Sequence, residues 1–179
     1  MRIISGNLGG RKIEFPRNLP VRPTTDFAKN GLFNILNNHF SFESLSVLDL
    51  FCGAGGITME FISRGCKDII SVDSDIRCVK FLKSVIEKFA IENARVVKSD
   101  SLSFIERCTV PFDLVFSDAP FEYPKTSLIP SLIFEKKLLN PKGWLIVEHS
   151  KINKFEGTPH FRETREYGDV RFSIFENDI

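Results

Sequence analysis

The chain has 179 residues, of which 42% are apolar and 26% are charged, and its formal net charge is +1. These values are typical of a globular protein with one substantial core, and the sequence has no apolar run of membrane-spanning length and no signal-peptide core. Its four cysteines form no C-x-x-C pair, which favours reduced thiols in a cytoplasmic protein and argues against a zinc site. We therefore expect a cytoplasmic monomer without a metal ion and without a membrane partner.

The first 30 residues predict a basic arm that leads into a helix. Residues 2–15 carry two short β-prone pieces around a Gly/Asn-rich centre, which is typical of a hairpin. Residues 1–30 contain six basic and two acidic side chains, a net charge of +4, and this favours a phosphate-rich partner. Thr25 or Asp26 can cap the helix that follows, in which apolar residues recur at helical spacing. Gly31 should weaken that helix by about 1 kcal/mol relative to alanine.

From Leu45 onward, short β-prone runs alternate with helical patterns. The strands are predicted at 47–50, 69–72, 94–97, 112–116 and 144–147, and two further β-like pieces follow at 161–167 and 170–175. Asp75 should cap a long helix whose apolar stripe runs from Ile76 to Phe89, and another helix is expected around 128–139, before a turn at 140–143. This alternation predicts an α/β fold with a mostly parallel seven-stranded sheet, helices on both faces and an antiparallel strand at one edge. We treat residues 1–179 as a single domain, with an N-terminal hairpin and arm (1–25) and a core (26–179).

The segment from Val47 to Gly56 predicts a buried strand, a tight glycine turn and a helix N-terminus. Such turns bring backbone N–H groups close to a ligand, although an ordinary strand–turn–helix corner has the same pattern. A dinucleotide is disfavoured, because Asp49 would repel a pyrophosphate and Thr58 replaces the third glycine of G-x-G-x-x-G. S-adenosylmethionine is favoured, because it has an adenosine half and positive charge where a dinucleotide has phosphates.

An acid stands at the end of each of the first four strands: Asp49, Asp73, Asp100 and Asp118. Asp73 lies 20 residues beyond Gly53, the distance at which a carboxylate can accept hydrogen bonds from ribose hydroxyls. Asp100 should accept from an adenine amino group, while the Ser101 N–H faces a ring nitrogen. Any one of these acids alone is typical of a helix cap, but their phase with the strands favours an adenosyl cofactor.

The fourth strand ends in Asp118-Ala119-Pro120-Phe121, which we interpret as the acceptor for the methyl-receiving group. The Asp118 carboxylate and the Ala119 carbonyl would accept the N–H groups of an exocyclic amine and offset its developing positive charge. Pro120 restricts the conformation of Ala119, and Phe121 offers a face for a displaced base. A structural Asp-x-Pro loop with Phe121 in the core is the alternative.

These motifs, together with Arg22-Pro23-Thr24-Thr25-Asp26, Leu32-Phe33-Asn34-Ile35-Leu36, Val147-Glu148-His149 and Tyr167-Gly168, resemble the bacterial small-subunit rRNA guanine-N2 methyltransferase family. The resemblance implies a Rossmann-like methyltransferase fold and methyl transfer from S-adenosylmethionine to the N2 of one guanine in 16S rRNA, within a 30S particle or an assembly intermediate. It also implies site residues. The acceptor loop would comprise Asp118, Ala119, Pro120 and Phe121. The cofactor site would comprise Asp49, Phe51, Gly53, Gly55, Asp73, Ser74, Asp100 and Ser101. The RNA contacts would be Arg2, Arg11, Lys12, Arg22 and Thr24.

The sequence departs from the family's pattern at two places. Ala119 replaces the first proline of the usual Asp-Pro-Pro-Phe or Asp-Pro-Pro-Tyr, which keeps the carbonyl but lowers loop rigidity and leaves an extra N–H in need of a partner. Asn30-Gly31 replaces better helix formers, which concerns stability more than chemistry. Three other functions share parts of the pattern: a DNA adenine-N6 or protein glutamine methyltransferase, a non-catalytic RNA-binding assembly factor, and a nicotinamide-dependent enzyme.

Overall fold

The computed structural model describes residues 1–21 and 23–179, so the predicted RNA contact Arg22 lies outside the described residues. A seven-stranded sheet with the order β3-β2-β1-β4-β5-β7-β6 forms the centre of the molecule. Its strands are β1 Ser46–Leu50, β2 Asp68–Asp73, β3 Ala94–Lys98, β4 Phe112–Ser117, β5 Leu139–His149, β6 Phe161–Tyr167 and β7 Val170–Glu176. The first five strands are parallel, and β7 pairs antiparallel with both β5 and β6. The predicted sheet is confirmed.

In the described residues five α-helices pack against the sheet and cover both of its faces. They are α1 Asp26–His39, α2 Gly56–Ser63, α3 Ile76–Lys88, α4 Ser101–Arg107 and α5 Ile129–Glu135. The predicted caps are confirmed, since Thr25 accepts from the Ala28 N–H and Asp75 accepts from the Arg77 N–H. None of the helices in the described part of the chain combines the length and the apolar character needed to span a membrane.

Two boundaries differ from the sequence-based expectation. The last helix ends at Glu135, and the predicted turn at 140–143 is instead part of β5, whose pairing with β4 shifts register near Phe112. Lys142 has a φ of 62°, so the turn-forming residues bend the strand without ending it. Ile76 is 44% exposed, and the buried stripe of α3 therefore begins at Cys78 and Val79.

The N-terminal hairpin is short and packs against the outer side of α2 and α3. Its two arms are joined by an antiparallel β-bridge between Arg2 and Lys12. Ile3 and Ile13 are buried in one apolar cluster with Met59 of α2 and Val79 of α3, so the hairpin is attached to the core by apolar packing. The hairpin turn contacts the C-terminal end of α2, where the Asn7 N–H donates to the Ser63 carbonyl at 2.7 Å.

A buried ion cluster joins the hairpin to α1 and α2. Glu60 is fully buried, and its Oε1 accepts from the Ile4 N–H at 2.5 Å and lies 3.4 Å from Lys29 Nζ. Its Oε2 lies 3.5 Å from Arg64 Nε, and the Arg64 guanidinium lies 4.5 Å from the centre of the Phe33 ring. Lys29 Nζ also donates to the Arg2 carbonyl. Glu60 is thus paired with Lys29 of α1 and, within its own helix, with Arg64.

Replacement of Glu60 by alanine should destabilise the protein by about 3–5 kcal/mol, because it removes the only buried counter-charge of Lys29 in the described chain and leaves the exposed Asp26 carboxylate, 3.7 Å away, as its partner. The free energy of unfolding in urea measures this effect. Glu166→Ala, which removes a surface pair with Arg171, is the matched control and should change stability by less than about 1 kcal/mol. Equal effects of the two substitutions would show that the cluster does not stabilise the fold.

Gly31 has a packing role that its helix propensity does not predict. A Cβ at this position would lie 2.0 Å from the Tyr167 ring, which packs across α1 and meets the Phe27 ring edge-on at 5.7 Å between centroids. The glycine therefore admits the β6 tyrosine against the helix.

Replacement of Gly31 by alanine should destabilise the protein by roughly 1–3 kcal/mol, because the methyl group overlaps the Tyr167 ring. In a Tyr167→Ala background the same substitution should stabilise by up to about 1 kcal/mol, because only the helix propensity of alanine remains. A double-mutant cycle of unfolding free energies measures both values. Additive effects in that cycle would contradict the steric explanation.

Candidate functional site

The sheet register brings three carboxylates together where the strand order reverses. Asp49 of β1 is paired with Phe116 of β4, and Ser117 is paired with Val147 of β5, so that Asp118 and Glu148 are the next residues on neighbouring strands. Side chains alternate between the faces of a strand, so all three acids lie on the sheet face that packs against α1 and α2. This is the switch point at which parallel sheets bind ligands.

A cavity of about 670 Å³ opens at this edge of the sheet. Its lining includes the following predicted site residues: Thr24, Asp49, Phe51, Gly53, Asp73, Ser74, Asp118, Ala119, Pro120 and Phe121. The volume lies within the range of about 300–1,000 Å³ that is usual for cofactor pockets. The structure therefore brings most of the predicted cofactor residues and the predicted acceptor loop into one cavity.

The glycine turn is fixed by Asp73. The Gly53 N–H donates to Asp73 Oδ2 and the Asp75 N–H donates to Oδ1, both at 2.8 Å. Phe51 and Gly53 have φ values of 59° and 54°. The left-handed conformation costs a residue such as Phe51 roughly 1–2 kcal/mol, and such strain is concentrated at ligand sites. Because each carboxylate oxygen can accept more than one hydrogen bond, Asp73 can hold the turn and still accept from a ligand hydroxyl.

Gly55 supports the turn by packing rather than by lining the cavity. It caps α2 with a φ of 83°, and a Cβ there would lie 2.3 Å from Leu82 of α3. The absence of a side chain thus allows α3 to approach the turn.

Asp49 is a buried carboxylate at the floor of the cavity. Only 1% of the residue is exposed, and burial raises its pKa to about 7 against the opposing effect of the Thr58 hydrogen bond. The Thr58 hydroxyl donates to Asp49 Oδ2 at 2.5 Å and lies 2.8 Å from the Ser71 hydroxyl. Thr58 therefore orients this carboxylate. The sequence pattern indicated only that Thr58 stands at the position of the third glycine of G-x-G-x-x-G. Among the described residues no cationic side chain pairs with Asp49. A positively charged ligand can therefore serve as its counter-charge.

Asp118 and Glu148 form a pair of carboxyl groups on the opposite side of the switch point. Removal from water, followed by the Glu148 and Asp49 charges, raises the pKa of Asp118 well above its usual range. Burial raises the pKa of Glu148 to about 7, although the Thr24 hydroxyl donates to its Oε2 at 3.1 Å. Glu148 is not among the site residues predicted from the sequence. The signal was its position at the end of the fifth strand, in phase with the four acids before it.

The acceptor loop leaves Phe121 at the mouth of the cavity. Asp118 is half-buried and its N–H donates to the Leu50 carbonyl at 3.3 Å, whereas Ala119 is fully buried. The Tyr123 N–H donates to the Pro120 carbonyl at 2.7 Å and closes a turn. Phe121 is 39% exposed, so it is not a core residue, and its ring is accessible to a ligand.

Besides Gly55, five predicted site residues in the described chain do not line the cavity. Asp100 accepts from the Ser103 N–H at 2.9 Å as the cap of α4, and Ser101 is buried beside it. The Tyr123 ring meets Phe51 edge-on at 5.2 Å between centroids, and burial and the Asp100 charge raise the pKa of its hydroxyl. The hairpin residues also lie elsewhere: Arg2, Arg11 and Lys12 are exposed.

The Arg11 guanidinium is 5.2 Å from the centre of the Phe89 ring, at the end of α3 remote from the cavity. The hairpin reaches the cavity only through Met1 at its open end. In the residues that the structure describes, no group of three or more His, Cys, Asp or Glu side chains is arranged to hold a metal ion.

Comparisons with known proteins identify the family and the fold class of the chain. Ribosomal RNA small subunit methyltransferase D of Escherichia coli (strain K12) is 33% identical over 148 residues, which cover 83% of this chain and 71% of that protein. A solved structure described as a methyltransferase from Escherichia coli superposes with a TM-score of 0.86 at 26% identity and covers 99% of this chain and 98% of that one.

The Thermus thermophilus 16S rRNA N2 methyltransferase, solved with AdoMet and guanosine, shares the fold with a TM-score of 0.72 at 20% identity, over 99% of this chain and 49% of that one. The family described as Conserved hypothetical protein 95 matches residues 1–176. The predicted Rossmann-like methyltransferase fold and the predicted cofactor class are thereby confirmed. The chain belongs to the Conserved hypothetical protein 95 family, whose curated relatives include the small-subunit rRNA methyltransferases, and it is an S-adenosylmethionine-dependent methyltransferase.

Proposed function

We propose that this protein transfers a methyl group from S-adenosylmethionine to the exocyclic N2 of a guanine in 16S rRNA. The observation that carries the proposal is the shared cavity, in which Asp118 of the acceptor loop faces the Asp49 and Gly53 corner across the switch point. The relatives named as small-subunit rRNA methyltransferases support the RNA substrate. The guanine and its N2 atom rest on the chemistry of the acceptor loop.

The cofactor would lie between the glycine turn and β4. Asp73 would accept from the ribose hydroxyls and Asp49 would face the positively charged end, with Phe51, Gly53 and Ser74 around it. Asp100 and Ser101 remain the proposed adenine contacts, although neither lines the cavity as it stands. When bound, S-adenosylmethionine supplies an electrophilic methyl group on a sulfonium.

The residues of the acceptor loop would prepare the amine for attack. A guanine N2 is a poor nucleophile, because its lone pair is delocalised into the ring. Acceptance of its N–H groups by the Asp118 carboxylate and the Ala119 carbonyl would favour a pyramidal nitrogen. The N2 lone pair then forms the new N–C bond, the C–S bond breaks with its electrons left on sulfur, and one N2 proton passes to the Asp118 carboxylate. The raised pKa of Asp118 suits it to receive that proton.

The RNA would enter past Phe121 and the arm. The target base must leave its stack to reach Asp118, and the exposed Phe121 ring offers a stacking surface worth about 1–3 kcal/mol. Thr24 lies in the cavity wall, and Arg2, Arg11 and Lys12 would contact phosphates at a distance from it. Because the whole chain has a net charge of only +1, we expect weak binding to free RNA and propose a 30S particle or assembly intermediate as the substrate. We also propose that the protein acts as a monomer in the cytoplasm.

The test is to incubate the protein with labelled S-adenosylmethionine and 30S subunits that lack this family's methylation, and then to analyse the nucleosides. N2-methylguanosine in the 16S rRNA is the expected product. Labelled methyladenine would instead support an adenine-N6 enzyme. Absence of both products would refute the proposed guanine substrate.

A further inference from the structure

Glu148 occupies a position in the cavity that the proposed chemistry does not use. It follows Val147 of β5, which is paired with Ser117 of β4, so Glu148 and Asp118 are side by side at the carboxyl ends of adjacent strands. Only 4% of Glu148 is exposed, and both residues line the cavity. A buried acid that faces a cavity without a cationic partner among the described residues is costly for folding, and such acids are concentrated at functional sites.

One of the two oxygens of Glu148 is already held. The Thr24 hydroxyl donates to Oε2 at 3.1 Å, which orients the carboxyl group from the N-terminal arm. In the described chain no other donor reaches Glu148, so Oε1 is available to a ligand. The cavity therefore presents two carboxyl groups side by side, Asp118 from β4 and Glu148 from β5.

The edges of the four RNA bases differ in how they match two adjacent acceptors. Guanine places the N1–H donor next to the N2 amino donor. Adenine and cytosine place a ring nitrogen acceptor next to the amino group, and uracil places one N–H between two carbonyl acceptors. Two neighbouring carboxyl groups thus complement the Watson–Crick edge of guanine and leave an acceptor facing an acceptor with the other bases, which proteins reject strongly.

We infer that Glu148 is the residue that selects guanine, by accepting the N1–H of the target base while Asp118 accepts from its N2 amino group. This inference rests on the proposed function and names the recognition element of the same site. The two donors of guanine would also relieve the repulsion between the two acids that contributes to the raised pKa of Asp118. Thr24 is a positioning residue, since it acts through Glu148.

The test compares guanine with 2-aminopurine at the target nucleotide of reconstituted 30S particles. The analogue keeps the exocyclic amino group but has a ring nitrogen acceptor in place of N1–H. The wild-type protein should methylate guanine at least about 100-fold more efficiently in kcat/KM. Glu148→Gln should reduce that ratio to roughly 10 or less, because the amide can donate to the ring nitrogen. Glu148→Asp keeps a carboxylate and should retain most of the discrimination at a lower rate.

Glu135→Gln, an exposed substitution on α5, is the matched control and should leave both rates unchanged. Equal loss on guanine and 2-aminopurine in Glu148→Gln would overturn the inference and assign Glu148 a structural role. Should that variant fail to fold, a wild type equally active on both bases would overturn the inference as well, and so would a Thr24→Val variant whose substrate ratio equals that of the wild type. Failure of the wild type to methylate guanine at all would refute the proposed function itself, and the two failures are therefore distinguishable.

Discussion

Replacement of Asp118 by alanine is expected to lower the rate of methyl transfer by about 10²–10⁴-fold, the range that is usual for loss of a group that accepts a proton in the transition state. Asp118→Asn should lose less, because the amide oxygen still accepts an N–H although it carries no charge and cannot take the proton. Single-turnover kinetics on undermethylated 30S subunits, with N2-methylguanosine as the product, measures both losses.

The cofactor affinity should change much less than the rate in these variants. Asp118 is separated from the glycine turn by the cavity, and its removal also relieves repulsion with Asp49 and Glu148. Calorimetry with S-adenosylmethionine should therefore give affinities within about tenfold of the wild type, which is less than 1.4 kcal/mol. An Asp118→Ala variant that retains full activity would contradict the assignment of the acceptor loop.

The positions of the strands and the acids at the strand ends were predictable, because their signals are local. Each parallel strand is a short apolar run, and its length and the following turn indicate where it ends. Since carboxyl ends of parallel strands meet at one edge, the spacing of Asp49, Asp73 and Asp118 was sufficient to place them in one cavity.

The features that were missed depend on packing between distant segments. The Thr58 hydroxyl orients Asp49 from a position that the sequence marks only as a missing glycine. Thr24 contacts Glu148 across 124 positions of sequence, and Tyr167 fills the space above Gly31 from the other end of the chain. No periodicity or turn signal encodes such contacts, because they are determined by the relative placement of whole elements.

Asp100 and Ser101 belong to the start of α4 and do not line the cavity, since Asp100 caps that helix and Ser101 is buried beside it. These residues follow the third strand as expected. A sequence pattern indicates which strand end carries a side chain. The contacts that this side chain makes depend on tertiary packing. The position of Ala119 was predictable and its complete burial was not.

Replacement of Asp49 by asparagine should have opposite effects on cofactor binding and on stability. The buried carboxylate of Asp49 has a pKa of about 7 in the folded protein against 3.8 for the ordinary group. Between those pH values the folded state holds a proton that the unfolded state has released. The stability of the cofactor-free protein therefore falls as pH rises from about 4 to 7, and stays low above it, a loss on the order of 4 kcal/mol.

Asparagine keeps the shape and can still accept from the Thr58 hydroxyl, but it carries no charge. At pH 8 the Asp49→Asn variant should therefore be more stable than the wild type without cofactor, with a Tm higher by roughly 2–4 °C for each kcal/mol gained. The pH dependence of Tm should flatten between about pH 4 and 7. The part due to Glu148, whose pKa is also raised to about 7, should remain.

The same substitution should weaken binding of S-adenosylmethionine by about 2–5 kcal/mol, because the positive charge of the cofactor then enters the cavity without its counter-charge. Wild-type affinity should rise with pH through about 7 as Asp49 ionises, and this rise should be reduced in the variant. Asp178→Asn, which removes one exposed negative charge far from the sheet centre, is the control and should change neither quantity. If Asp49→Asn stabilised the protein but left the affinity intact, the carboxylate would be a burial cost unrelated to the cofactor. If it weakened affinity and stability together, a general loss of folding would explain both. Only the combination of a more stable protein and a weaker complex identifies Asp49 as the counter-charge of the methyl donor.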